Sequence, residues 1–130
     1  MPEKPAISIV DDDESVREAL TGLISSAGYV ADAFPSAERF LRSDRLNNTA
    51  CLIVDMQMPG LTGLELHGHL AASGNPIPTI LITAHPDERV RIRALKAGVI
   101  AYLIKPFDDA ELLACVNSAL ACRQLDGDDT

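Results

Sequence analysis

The sequence predicts an α/β protein built on a five-stranded, doubly wound parallel sheet with five helices, a (βα)5 arrangement. Three observations predict it. Five short apolar runs recur along the 130 residues. Segments with helical spacing separate them, as βαβ units require. Four of the five runs are nearly continuous in apolar residues, the pattern of strands covered on both faces.

The first strand is Ala6-Ile7-Ser8-Ile9-Val10. Helix one follows, because Val16, Ala19, Leu20, Leu23, Ile24 and Ala27 fall on one helical face. Gly28 stops it, since glycine takes the left-handed cap conformation without a Cβ penalty. The second strand, Tyr29-Val30-Ala31-Asp32-Ala33, alternates more and suits a place nearer an edge. Ser36 is expected to cap a short helix, Ala37 to Arg42, with Phe40 and Leu41 inward. Strand three is Ala50-Cys51-Leu52-Ile53-Val54, and Leu64, Leu66 and Leu70 mark a weaker third helix ended near Gly74. Strand four is Thr79-Ile80-Leu81-Ile82, and the helix from Asp87 to Ala97 ends at Gly98. Strand five is Ala101-Tyr102-Leu103-Ile104. Asp108 and Glu111 then form a capping box for helix five, with Phe107 and Leu112 as its hydrophobic staple.

This leaves 1–5 as an extension, 6–123 as one domain, and 124–130 as a loose tail or the start of a linker. Composition narrows the function. Hydrophobic residues make up 47% and charged residues 23%, the balance of a globular domain rather than a disordered or fibrous chain. No run approaches the roughly 18 apolar residues of a membrane span, and the start lacks the pattern of a signal peptide. A cytoplasmic location is expected. The formal charge is −8, the wrong sign for this domain alone to bind nucleic acid or an anionic membrane. The cysteines number three with no close C-x-x-C spacing, so Cys51, Cys115 and Cys122 read as reduced structural thiols. His67 and His69 point to different helix faces and make a poor metal pair, and His85 reads as an exposed loop residue.

Ligands of open parallel sheets bind beyond the carboxyl ends of the strands, so the residues that follow each strand carry the chemistry. Asp11, Asp12 and Asp13 follow strand one, Asp55 strand three, Thr83 strand four and Lys105 strand five. Asp13 suits a helix N-cap. Alone, Asp55 or Thr83 is a turn residue and Lys105 a solvated cation; their joint placement is what counts. Two carboxylates about 4 Å apart repel by roughly 4 kcal/mol at an effective dielectric near 20. One lysine is too little for Asp11, Asp12 and Asp55 together. A hard divalent cation meets the shortage, and Mg2+ takes one or two carboxylates while keeping several waters. A lysine, a hydroxyl and a spare carboxylate around such an ion suit phosphoryl transfer, in which a carboxylate can itself become an aspartyl phosphate.

The order and spacing of Val10-Asp11-Asp12-Asp13, Asp55-Met56-Gln57-Met58-Pro59-Gly60-Leu61-Thr62-Gly63, Thr83-Ala84 and Lys105-Pro106-Phe107 resemble the receiver domains of bacterial two-component response regulators, over roughly residues 6 to 123. The resemblance implies a CheY-like, flavodoxin-like sheet with strand order 2-1-3-4-5. It implies that Asp55 accepts a phosphoryl group from a sensor histidine kinase or phosphotransfer protein. It makes Asp12 and Asp55 direct Mg2+ ligands, with Asp11 acting mainly through water and the Gln57 backbone carbonyl completing the site. Lys105 would pair with the phosphoryl group, ahead of a cis bond to Pro106. Thr83 would be the switch hydroxyl, Ala84 its small neighbour, and Tyr102 the aromatic whose ring turns inward as the hydroxyl moves. Gln57 and His85 lie at positions that bear on phosphate lifetime.

The implied readout face is helix four, strand five and helix five, controlling an output, expected to be transcription. Arg89, Arg91, Arg93 and Lys96 make helix four basic in an acidic chain, either as a solvated face or as a contact with a partner such as a second copy in a homodimer. Such a domain is a phosphorylation-controlled switch that assists its own phosphoryl transfer and dephosphorylation, not an enzyme with an external substrate. The rival reading is a haloacid-dehalogenase-type Mg2+ phosphatase, whose first motif Asp11-Asp12-Asp13-Glu14-Ser15 superficially matches. It leaves Asp55 and Met58-Pro59-Gly60 without a role. A flavodoxin-like electron carrier is disfavoured because three carboxylates after strand one would repel a flavin phosphate.

Overall fold

The structure, a computed structural model, describes residues 4–128, with side chains through Ala121. The strands are β1 (Ala6–Val10), β2 (Val30–Phe34), β3 (Cys51–Asp55), β4 (Thr79–Thr83) and β5 (Ala101–Ile104). The helices are α1 (Glu14–Ser26), α2 (Ala37–Arg42), α3 (Gly63–Ala72), α4 (Glu88–Lys96) and α5 (Asp109–Asp128). All strand pairs are parallel, in the order β2-β1-β3-β4-β5. The chain reverses its direction of travel at β1, so β1 and β3 stand side by side at the switch point, Val10 beside Val54.

Alternation along each strand divides the interior into two cores. Ile7, Ile9, Cys51, Ile53, Ile80 and Ile82 face α1 and α5, where Leu20, Ile24, Leu112 and Val116 cover them. Val10, Leu52, Val54 and Leu81 face the other way and meet Phe40, Leu66, Leu70 and Ala94 from α2, α3 and α4. Each large side chain fully buried this way contributes about 1.5–3 kcal/mol. Phe40 is fully buried and meets Phe34 edge to face, ring centroids 5.4 Å apart. Ser8 shares its face with Val10 and is the polar exception in β1. Thr49 donates to the Arg45 carbonyl at 2.7 Å, so the Ser8 hydroxyl donates to Thr49 at 2.6 Å.

Helix starts follow local chemistry. Asp13 accepts from the Ser15 N–H at 2.9 Å, Ser36 from Arg39 at 3.1 Å, and Asp87 from Arg89 at 2.9 Å. Asp87 is thus the N-cap of α4 rather than its first residue. Gly28 and Gly98 take φ of 96° and 99° just past α1 and α4 and end them as expected. Two strands lie one residue further along than the apolar runs suggest. β2 starts at Val30 because the Tyr29 N–H turns back to the Ile24 carbonyl, closing α1, while Val30 N–H is the first to bond across to Pro5. β3 extends through Asp55, whose partner in β4 is Ile82.

The backbone of 124–128, expected as a loose tail, continues α5 to Asp128. Arg123, Gln124 and Leu125 are good helix formers, while Asp126, Gly127 and Asp128 oppose the extension. Met1–Glu3, Asp129, Thr130 and the side chain of Cys122 lie outside the described residues. Cys51 and Cys115 are free thiols, and burial pushes the Cys51 thiol up to about 12, so it is inert. Among the described residues no helix is long and apolar enough to cross a membrane.

Candidate functional site

Four of the five strands, β1, β3, β4 and β5, deliver polar groups to the carboxyl edge of the sheet. Asp11 follows β1 and is fully buried. Its N–H donates to the Phe34 carbonyl at 3.1 Å, its Oδ1 accepts from the Asp13 N–H at 2.9 Å, and its carbonyl accepts from Arg17 at 2.7 Å. Asp12, between them, is exposed. Asp55 closes β3 with 6% of its surface exposed, and its Oδ1 accepts from the Gln57 N–H at 3.3 Å. One oxygen from each of Asp11, Asp12 and Asp55 lies within 4.8 Å of the other two.

Lys105 enters from β5. Its own N–H donates to the Thr83 carbonyl at 2.8 Å, and the bond to Pro106 is cis. Its ammonium lies 3.3 Å from Asp11 Oδ2 and 3.8 Å from Asp55 Oδ2. One cation thus pairs with two of the three clustered acids. Burial holds the Asp55 carboxyl above its ordinary range, and the charge of Asp11 adds to this; Lys105 and the Gln57 N–H pull the other way. An all-oxygen cluster of this kind, short of positive charge, fits a hard divalent cation such as Mg2+.

Thr83 ends β4, fully buried. Its hydroxyl donates to Gln57 Oε1 at 2.6 Å and accepts from the His85 N–H at 2.9 Å. Tyr102 does not join this pocket in the structure; its hydroxyl accepts from the Asp87 N–H at 3.2 Å, at the start of α4. The basic side chains of α4 are mostly exposed, and Arg91 pairs with Glu88 of the same helix. Among the described residues, three of the four exposed large hydrophobics, Ile92, Leu95 and Ile104, lie on α4 and β5. His67 is buried and His69 exposed.

Sequence reasoning missed three contributors. Arg17 braces the Asp11 backbone from the first turn of α1. The Gln57 side chain reaches a residue 26 positions away. Gly63 opens α3 where a Cβ would stand 2.7 Å from Leu81 Cδ2 and 2.9 Å from the Asp55 carbonyl oxygen, so only glycine lets the helix sit this close to β3. Thr62 and Glu65 form a reciprocal capping box there, at a T-x-x-E spacing that was available to find it.

A doubly wound sheet that gathers acids, a hydroxyl and a lysine at its carboxyl edge defines a site of the phosphoryl-transfer class. Asp108 stands just ahead of α5 and Asp109 opens it, away from the cluster of acids. Residues 7–117 match the family model of the response regulator receiver domain, and the chain belongs to that family. It is 38% identical over 120 residues to the transcriptional regulatory protein FixJ of Azorhizobium caulinodans, covering 92% of this chain and 57% of that protein. It is 40% identical over 114 residues to the response regulator protein TodT of Pseudomonas putida, covering 88% of this chain and 50% of that protein. The response regulator StyR superposes with a TM-score of 0.86 at 42% identity, over 98% of this chain and 66% of that one. The chain thus spans about half the length of these curated relatives.

Proposed function

We propose that Asp55 is the phosphoacceptor of a two-component pathway, with a sensor histidine kinase or phosphotransfer protein as donor. The observation that carries this is the convergence of Asp11, Asp12 and Asp55 oxygens within 4.8 Å, beside the Lys105 ammonium. An Asp55 carboxylate oxygen attacks the phosphorus of a phosphohistidine, a P–O bond forms, and the P–N bond breaks. The imidazole leaves with its electron pair and takes up a proton. Asp12, Asp55 and the Gln57 carbonyl, with Asp11 behind them, would hold Mg2+, which when bound offsets charge on the phosphoryl oxygens. Lys105 follows the new charge from the carboxylates to the phosphoryl group, and the same groups assist hydrolysis of the acyl phosphate.

Thr83 then moves to donate to a phosphoryl oxygen, and Tyr102 turns into the space it leaves. The α4-β5-α5 face, with Ile92, Leu95 and Ile104 exposed among basic side chains, carries the change to an output, including a homodimer through the same face. Kinship with regulators named as transcriptional supports control of transcription, with 6–123 as the receiver unit, the residues after it leading to an output module, and a cytoplasmic location.

The test is labelling by acetyl phosphate with Mg2+, read by mass and by hydroxylamine sensitivity. Asp55→Asn abolishes the label. A label that persists on Asp11 or Asp12 would show that the nucleophile is misassigned.

A further inference from the structure

We infer that Gln57 is the positioning residue that latches Thr83 in its resting place, so that switching must break the Thr83–Gln57 hydrogen bond. The inference rests on the phosphoacceptor reading of Asp55 and concerns the regulation of that site.

A threonine hydroxyl has one proton to donate. In the structure that proton is committed to Gln57 Oε1 at 2.6 Å, while the oxygen accepts from the His85 N–H at 2.9 Å. Thr83 is fully buried, so its hydroxyl has no water to turn to. It cannot serve a phosphoryl oxygen on Asp55 while it serves Gln57. The two acceptors compete for one hydrogen.

Gln57 is placed to arbitrate. Its backbone N–H donates to Asp55 Oδ1 at 3.3 Å, and its side chain holds Thr83. A single residue therefore touches both the carboxylate and the switch. Gln57 is exposed, so its amide is rehydrated when Thr83 leaves, and the latch is reversible rather than prohibitive. One neutral hydrogen bond of this kind shifts a two-state equilibrium about three- to tenfold. The side chain at position 57 thereby sets how much of the protein rests in the inactive arrangement, independently of how well Asp55 accepts its ligand.

The test is a thermodynamic cycle on the full 130-residue chain, using wild type, Gln57→Met, Thr83→Ala and the double variant. Methionine keeps the bulk and removes the acceptor. Each protein is titrated with beryllofluoride, a phosphoryl analogue, in the presence of Mg2+. Fluorine NMR counts the bound analogue, and the His85 amide reports where the threonine sits in the proteins that retain it. The half-saturating concentration falls about three- to tenfold in Gln57→Met relative to wild type. Thr83→Ala and the double variant saturate at the same concentration. Equal midpoints for wild type and Gln57→Met overturn the latch, as does an undiminished Gln57→Met effect in the Thr83→Ala background, which would assign Gln57 to the pocket rather than to the threonine. Failure of wild type to bind the analogue overturns the phosphoacceptor reading, and the latch with it.

Discussion

Replacing Asp55 by asparagine keeps the shape of the side chain and its acceptor for the Gln57 N–H while removing one of three crowded charges. At the outer limit of 4.8 Å each carboxylate pair repels by about 3.5 kcal/mol at an effective dielectric of 20. The Lys105 ammonium, 3.8 Å from Asp55, returns about 4 kcal/mol. Two repulsions outweigh one attraction by about 2–3 kcal/mol, and the exposure of Asp12 reduces this through solvent screening. The metal-free Asp55→Asn protein is therefore more stable than wild type by about 1–2 kcal/mol, about 3–8 °C in Tm for a domain of this size. Thermal unfolding in EDTA, followed by circular dichroism, measures it. Adding Mg2+ raises the wild-type Tm through its preference for the folded state and narrows or reverses the gap. If Asp55→Asn melts at or below wild type in EDTA, the pocket is not electrostatically strained, and the case for a divalent ion loses its physical basis.

Two other perturbations probe the same edge of the sheet. The Asp55 carboxyl is held above its ordinary value of 3.8, so the folded protein binds that proton more tightly than the unfolded chain. Its contribution to metal-free stability is then most favourable below that value and is lost as pH rises through the folded pKa. Urea midpoints in EDTA across this window show the advantage of Asp55→Asn over wild type growing with pH; a constant difference would contradict the shift. Gly63→Ala forces a Cβ to 2.7 Å from Leu81 and 2.9 Å from the Asp55 carbonyl, an overpacking cost of about 1–3 kcal/mol against about 0.5–1 kcal/mol gained in helix propensity. Its urea midpoint falls at unchanged m, together with its Mg2+ affinity, and an unchanged midpoint would mean that α3 retreats from β3 freely.

The fold was legible because the signals were redundant. Apolar runs, glycine stops and caps at Asp13 and Ser36 agree with one another, and α2 falls on Ala37–Arg42 as read. Boundaries slipped where a hydrogen bond rather than hydropathy decided them, as at Tyr29, whose side chain instead reaches Asn117. The acids and Lys105 were legible because strand ends of a parallel sheet converge by topology, whatever the intervening chain. The Gln57–Thr83 contact was not. It depends on the path of the β3–α3 loop, which carries no periodicity, and on a rotamer that no pattern encodes. Gly63 was quoted within a motif, but its reason, the nearness of Leu81 and Asp55, exists only in three dimensions.

The ion pair between Asp11 and Lys105 joins positions 94 residues apart. A ribosome therefore produces every acid of the pocket well before the ammonium that tempers them. A polypeptide truncated ahead of β5 carries uncompensated charge at its heart and a bare β4 edge at its side, a template for unwanted strand pairing. Addition of β5 covers the β4 edge and brings the ammonium to two of the three acids.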